Sequence, residues 1–289
     1  MDESRHDAWP RAYAGPVQES STGSRLTFGD DASLVLQTDG GRMARTTLEI
    51  CIDSVAGFDA AIAGGADRVE LCGALSVGGL TPSPGLTALV VARARMAGIR
   101  VHAMVRPRAG DFTYSPGEVA TAIADAQALV AAGVDGLVFG AVRDGTIDEA
   151  VTEQWVAAVR TVRGDIDLTL HRAVDLLPDP VAAIEPAVAH GFARILTSGG
   201  AVRAVDGAGV IAAMTRAAAG RIVVMPGSGV RPDNVAALLT ATGAVEVHAS
   251  AGVAVPQDDA LVQALGFVGP GLARTDAMVV RALRAAIDE

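Results

Sequence analysis

Several short β-branched stretches of this chain carry thiols, imidazoles and carboxylates at alternate positions. The first holds Glu49 and Cys51, and the second holds Glu70 and Cys72 with the same spacing. Side chains alternate between the two faces of a strand, so each pair shares one face. Thiols bind soft metal ions, and imidazoles and carboxylates move protons near neutral pH. The pattern therefore predicts a reactive surface assembled from several strands.

Five of these stretches divide into an aliphatic face and a polar face. On the first, Leu48, Ile50 and Ile52 form the aliphatic face, which must pack against helices. The polar faces must then point into the interior of the sheet structure. Their members are Glu49, Cys51 and Asp53; Glu70 and Cys72; His102, Met104 and Arg106; Asp167, Thr169 and His171; and Glu246, His248 and Ser250.

The elements that position these side chains form a repeating unit: a short strand, a turn, an Ala-rich helix and a glycine. Alternation of strands with helices indicates a parallel sheet, and eight units close into a (β/α)₈ barrel. An open doubly wound sheet would need a Gly-rich fingerprint after the first strand, where this chain has DSVAGFDA. We predict an α/β fold, a single (β/α)₈ TIM-type barrel with a disordered N-terminal extension. The predicted strands are Leu48–Asp53, Arg68–Gly73, Arg100–Pro107, Gly136–Val142, Asp167–Ala173, Arg194–Gly199, Arg221–Gly227 and Glu246–Ala251.

Residues 1–46 are polar, rich in turn-forming residues and without periodicity, which predicts a disordered N-terminal extension before a barrel at 47–289. Met43 stands just before the first strand, and we hypothesise that it is the native start. No secretory signal and no long apolar helix are visible. Two cysteines in 289 residues are typical of a reducing compartment, so we expect a cytoplasmic protein. A net charge of −10 argues against a nucleic-acid surface.

Active sites of such barrels lie at the C-terminal ends of the strands, where Cys51, Cys72, Arg106, His171 and His248 all fall. Thiols on neighbouring strands predict a shared Cu(I) ion, helped by a nearby thioether. The alternative is that both cysteines are small buried apolar groups. Neither a CxxC pair nor a helical His-x₃-His motif supports a closed zinc site.

The loops after the strands predict an anion site. Arg106 and Arg108 suit a carboxylate or phosphate, with Asp111 beside them, unless Arg108 only fixes its loop by pairing with Asp111 or Glu118. Two glycine-rich turns resemble phosphate-binding loops. They contain Ser198, Gly199 and Gly200, and Gly227, Ser228 and Gly229.

Three inward-facing groups are candidates for proton transfer: Glu70, His102 and His171. His248 is a further candidate for ligand binding at the same mouth. The alternative is a polar core that satisfies itself, in which carboxylates such as Glu49, Glu70 and Glu246 bridge to Arg106.

Eight phrases of the sequence, in order, resemble the CutC family of copper-homeostasis proteins. They are LEICIDS at 48–54, GADRVELC at 65–72, GGLTPS at 78–83, RPRAGDFTYS at 106–115, HRAVD at 171–175, RILTSGG at 194–200, GSGVRPDN at 227–234 and EVHASA at 246–251. The resemblance implies a TIM-type barrel, a cytoplasmic location and a homo-oligomer of two or more subunits. It also implies copper ligation at Cys51 and Cys72, although Ile52 stands where some members carry a second cysteine.

Two functions remain open from the sequence. The first is copper homeostasis through Cu(I) bound by Cys51 and Cys72. The second is an enzyme of isomerase, epimerase or lyase type that acts on a small anionic or phosphorylated metabolite. A purely structural barrel would have no need of the inward polar set. No nucleic-acid or membrane partner is expected.

Overall fold

The computed structural model describes residues 45–256, 259–265, 267 and 272–289. Eight parallel strands form one sheet in the order β10-β1-β2-β3-β4-β7-β8-β9. The two end strands of this order, β9 and β10, contact each other, so the sheet is a nearly closed barrel. The barrel strands are β1 Thr47–Ile52, β2 Arg68–Leu71, β3 Arg100–Met104, β4 Gly136–Phe139, β7 Asp167–Leu170, β8 Arg194–Thr197, β9 Val223–Pro226 and β10 Glu246–Ala249.

Helices follow the barrel strands and form the outer layer, which confirms the predicted TIM-type fold. The α-helices are α1 Val55–Gly64, α2 Pro84–Ala97, α3 Pro116–Ala132, α4 Glu149–Arg160, α5 Ile184–Ala189, α6 Ala208–Ala218, α7 Val235–Thr242, α8 Ala260–Ala264 and α9 Ala277–Asp288. Short 3₁₀ helices span Leu75–Val77, Arg172–Leu176 and Pro180–Ala183.

Local sequence explains where the helices begin and end. Ser115 caps α3 in a capping box with Glu118, and Pro116 occupies the first helical position, where its missing N–H is harmless. Gly133 ends α3 with a φ of 92°, a left-handed conformation that side chains with a Cβ rarely adopt.

Two small hairpins were absent from the sequence prediction. Strand β4 ends at Phe139, and Val142–Arg143 (β5) instead pairs with Thr146–Ile147 (β6). Asp144 and Gly145 both have positive φ, as a two-residue hairpin turn requires. The second hairpin joins β11 Gly252–Ala254 to β12 Ala273–Thr275.

The aliphatic faces of the strands form the main core against the helices. Leu48, Ile50 and Ile52 are fully buried, as are Val69 and Leu71. Burial of each such side chain contributes about 1.5–3 kcal/mol. This core leaves the opposite faces of the same strands for the barrel interior, as the alternation of side chains predicted.

Ion pairs between charged side chains fill the lower barrel interior, and we call this set the lumen ion-pair layer. Arg68 bonds to Glu49 and Glu246 at 2.5 Å each, and Arg194 bonds to Glu246 at 3.1 Å and Asp167 at 3.0 Å. Paired charges of this kind escape the cost of isolated burial. The predicted bridge from these carboxylates to Arg106 is wrong, because Glu49 and Glu246 pair with Arg68 and Arg194 instead. For Glu49 and Glu246 the alternative of a polar core that satisfies itself therefore fits, with other cations, whereas Glu70 Oε2 accepts from Cys72.

The predicted N-terminal extension, apart from Arg45 and Thr46, and the hypothesis about Met43 concern residues that lie outside the described part of the chain. Among the described residues, no helix has the length and apolarity needed to cross a membrane.

Candidate functional site

A cavity of about 650 Å³ lies at the C-terminal ends of the barrel strands. We call it the mouth cavity. Its walls come from strand ends and from the loops that follow them, as is usual for ligand sites of this fold. The lining side chains used below are Cys51, Glu70, Arg106, Phe112, His171, Ser228, Gly229, Val230, Arg231 and His248.

A thiol, a carboxylate and an imidazole meet on the wall formed by β10, β1 and β2. Cys51 lies opposite Glu70 in the register between β1 and β2. One donor atom from each of Cys51, Glu70 and His248 lies within 4.8 Å of the others, and all three residues are buried. We call these three residues the thiol–imidazole cluster. It is the one group of three such metal-ligand side chains found among the described residues.

A buried carboxylate orients the imidazole of this cluster. Glu49 lies opposite His248 in the strand register, and its Oε1 is 2.8 Å from Nδ1 of the ring. Burial disfavours the imidazolium, but the Cys51 sulfur, the bond to Glu49 and the charge of Glu70 outweigh it and raise the pKa of His248 well above its usual value. Burial likewise opposes ionisation of Glu49, yet Arg68 and His248 hold its pKa well below the usual value.

The second cysteine lies apart from the first. The register pairs Cys51 with Glu70, whereas Cys72 lies two residues beyond Glu70, just past the end of β2. The two thiols are therefore offset along the barrel axis. Cys72 Sγ donates to Glu70 Oε2 at 3.6 Å and packs with Met104. Burial and the neighbouring Glu70 raise the pKa of Cys72 well above its usual value. Burial also raises the pKa of Glu70, to about 7.

Arg106 is a buried cation of the mouth cavity that bonds to carbonyl oxygens. Its guanidinium donates to Val77 O at 2.9 Å, Gly79 O at 3.2 Å and Gly110 O at 2.7 Å. No carboxylate among the described residues lies within 4.0 Å of it, so its charge has no salt-bridge partner there. Burial lowers the pKa of Arg106.

His171 also lines the mouth cavity, at the N-terminus of the 3₁₀ helix Arg172–Leu176. Its Nδ1 accepts a hydrogen bond from Ala173 N–H at 3.2 Å, so a neutral ring carries its proton on Nε2. Burial, with Arg106 nearby, lowers the pKa of His171 to about 3. At neutral pH the ring is therefore an uncharged hydrogen-bond donor.

Arg108 and Asp111 are not lining residues of the mouth cavity. Arg108 bonds to Asp111 Oδ1 at 2.8 Å and forms a short bond to Glu118. These contacts match the alternative in which Arg108 fixes its own loop. Arg108 therefore differs in role from Arg106, which lines the cavity.

The two glycine-rich turns differ. In the first, the Asp175 carboxylate accepts from the backbone N–H groups of Ser198 and Gly200, which are therefore already paired. In the second, the N–H groups of Ser228, Gly229 and Val230 have no acceptor among the described residues.

Ser228 and Gly229 of the second turn line the cavity, but Gly227 of that turn does not. The residues of the first turn do not line it either, namely Ser198, Gly199 and Gly200. Arg231 follows the turn and lines the cavity, and its backbone N–H donates to Asn234 Oδ1. The Arg231 guanidinium has no salt bridge or hydrogen bond to any other described residue.

His102 lies below the cavity, in the lumen ion-pair layer. Its Nε2 is 3.5 Å from Asp167, and burial lowers its pKa to about 3. Of the three predicted proton-transfer groups, the structure thus places Glu70 and His171 at the cavity and His102 away from it. Phe112 and Asp175 escaped sequence reasoning, although the phrases that hold them, RPRAGDFTYS and HRAVD, were singled out.

The fold and the lined mouth define a TIM-type barrel with a cavity at the C-terminal ends of its strands. The model of the CutC family matches residues 46–253. The chain is 48% identical over 240 residues to a CutC protein of Agrobacterium fabrum, with 82% of this chain and 92% of that one covered. It is 45% identical over 247 residues to a CutC protein of Sinorhizobium medicae, covering 85% and 98%. The chain belongs to the CutC family.

Solved structures agree with this assignment. A Streptococcus agalactiae CutC protein, named for copper homeostasis, shares 31% identity at a TM-score of 0.67, covering 71% of this chain and 98% of that one. Thiamine phosphate pyrophosphorylase of Pyrococcus furiosus shares 13% identity at a TM-score of 0.53, covering 85% and 96%, and supports the barrel fold alone.

Proposed function

We propose that this protein acts in copper homeostasis by binding Cu(I) at the thiol–imidazole cluster. The observation that carries the proposal is the meeting of Cys51, Glu70 and His248 donor atoms within 4.8 Å at the cavity wall. Sulfur and imidazole nitrogen are the donors that a soft monovalent copper ion prefers. The copper-homeostasis name of the Streptococcus agalactiae relative supports the same function.

This proposal changes the ligand set expected from the sequence. Cys51 remains a ligand, and His248 on the neighbouring strand replaces Cys72 as its partner. The His248 imidazolium must lose a proton to ligate, so binding releases a proton and weakens as the pH falls. Cys72 stays protonated beside Glu70 and serves as the matched control.

The experiment is a competition titration of the reduced protein with Cu(I) and a chelator of known affinity. We expect Cys51→Ser and His248→Gln each to weaken copper binding at least tenfold, with Cys72→Ser close to the wild type. If Cys51→Ser and Cys72→Ser lose the same Cu(I) affinity, both cysteines are ligands, as the sequence predicted. An unchanged affinity in Cys51→Ser would refute copper binding at this wall.

A second function is favoured by the size and charge of the mouth cavity. A volume of about 650 Å³ is in the range of small-molecule sites and far exceeds what one ion needs. Arg106, Arg231 and the free N–H groups of Ser228 to Val230 give its walls donors and positive charge. These features suit an enzyme of unassigned reaction that acts on a small anionic metabolite.

The test of the second function is saturable binding of small anions to metal-free protein. We expect inorganic phosphate or a small carboxylate to bind and to raise the thermal unfolding midpoint as its concentration increases. Absence of saturation by both anions, with chloride as the control for ionic strength, would refute this function.

A further inference from the structure

Three side chains that line the mouth cavity have a buried polar atom without a partner among the described residues: the acceptor Glu70 Oε1, and two nitrogen atoms that can act as donors. Arg106 Nε and His171 Nε2 are both buried, and neither has a hydrogen-bond partner among the described residues. Arg106 is 6% exposed and His171 is 2% exposed, and both line the mouth cavity. Buried polar groups are nearly always paired, so two orphans on one cavity wall indicate a missing ligand.

The hydrogen bonds of Arg106 define which of its edges is free. A guanidinium has five N–H donors. Nη1 uses both of its donors on Val77 O and Gly79 O, and Nη2 uses one on Gly110 O. The N–H of Nε and one N–H of Nη2 remain. In a planar guanidinium the Nε–H is parallel to one of the two N–H groups of Nη2. Parallel donors of this kind bind the two oxygens of a carboxylate.

His171 supplies a third donor without adding charge. Because Nδ1 accepts from Ala173 N–H, the neutral ring presents N–H at Nε2. Of these two side chains, Arg106 carries one positive charge and His171 carries none. A ligand that binds both therefore needs one negative charge. A singly charged planar anion fits that requirement better than a phosphate dianion.

The Phe112 ring contacts both Arg106 and His171. Arg106 Cζ lies 4.7 Å from the centre of the Phe112 ring, and the Phe112 and His171 rings are 4.7 Å apart between centroids. The ring shields both groups from water, which strengthens their bonds to an anion.

We propose that Arg106 and His171 bind the carboxylate of a small metabolite, which we call the carboxylate subsite. The proposal rests on the second function above and names the substrate class for it. The rest of the ligand lies in the mouth cavity, whose other walls hold the thiol–imidazole cluster and the free N–H groups of Ser228 to Val230.

The experiment measures pyruvate binding to the full-length, reduced protein kept metal-free by a chelator. Isothermal titration calorimetry reports the affinity of the wild type and of every variant, and inorganic phosphate is the second probe. We expect Arg106→Met and His171→Asn each to weaken pyruvate binding about tenfold to hundredfold, as loss of a bond to a charged group does. Arg221→Met, at an exposed ion pair with Glu185 away from the cavity lining, is the matched control and should bind like the wild type.

We expect the His171→Asn variant to fold, because it keeps the helix cap. Asparagine is a preferred N-cap residue that keeps an acceptor for Ala173 N–H, while it removes the Nε2 donor. If pyruvate binds equally to wild type, Arg106→Met and His171→Asn, the carboxylate subsite is refuted while the anionic-ligand function stands. If the variants weaken phosphate and not pyruvate, the carboxylate assignment is wrong. If neither probe saturates the wild type, the second function itself fails.

Discussion

Burial of a neutral histidine should make this barrel sensitive to acid. The pKa of His171 is lowered by burial from its usual 6.5 to about 3. Below pH 6.5 the unfolded chain therefore binds a proton at this ring that the folded chain does not. Stability from this residue is fully present above pH 6.5 and is lost as the pH falls towards 3.

The size of the effect follows from the shift. Between pH 6.5 and 5, about 1.5 pH units at about 1.4 kcal/mol each amount to about 2 kcal/mol. His171→Asn removes the titrating group and keeps the helix cap. The variant should therefore lose about 2 kcal/mol less stability than the wild type between pH 7.5 and pH 5.

Urea denaturation monitored by tryptophan fluorescence measures this difference, because Trp155 is fully buried. Equal slopes of free energy against urea in both proteins would show that the unfolding transition is the same. If the variant and the wild type lose the same stability over this pH range, the folded protein protonates His171 near its ordinary pKa. The assignment of a neutral Nε2–H donor to His171 in the carboxylate subsite would then be wrong as well.

Two further changes test the barrel interior. Glu49→Gln removes a carboxylate from the lumen ion-pair layer and should cost about 3–5 kcal/mol in chemical denaturation, whereas Glu185→Gln, at an exposed ion pair, should leave the midpoint unchanged. If Glu49→Gln and Glu185→Gln change the free energy of unfolding equally, the lumen ion-pair layer contributes no more stability than a surface ion pair. Gly136→Ala places a Cβ 2.6 Å from the His102 ring and should destabilise by about 1–3 kcal/mol, while Gly117→Ala, with open space around it, should not. A fully stable Gly136→Ala protein would contradict the packing of His102 against β4.

The predicted proton release gives copper binding a pH dependence of its own. Cu(I) affinity should rise with pH in the wild type, because His248 must lose a proton that its surroundings favour. In His248→Gln the pH dependence should be smaller, as measured by the same chelator competition at several pH values. An identical pH dependence in both would remove His248 from the ligand set.

The sequence by itself determined the barrel and the faces of its strands. Alternation is a local property, so Glu49, Cys51, Glu70 and Cys72 could be assigned to the interior without knowledge of the neighbours. Segment order and length, with a helix after nearly every strand, were enough to predict a parallel barrel. The motifs were enough to identify the family.

Only the tertiary structure decided which inward side chains meet. Cys51 meets His248 because β1 pairs with β10, which lies about two hundred residues further along the chain, and strand register is not readable from either strand alone. The same register separates Cys51 from Cys72 by two positions. The tertiary structure also decided between alternatives that the sequence left open: Arg108 pairs within its own loop, and the turn at Ser198 is paired with Asp175. Arg106 and His171 retain free donors.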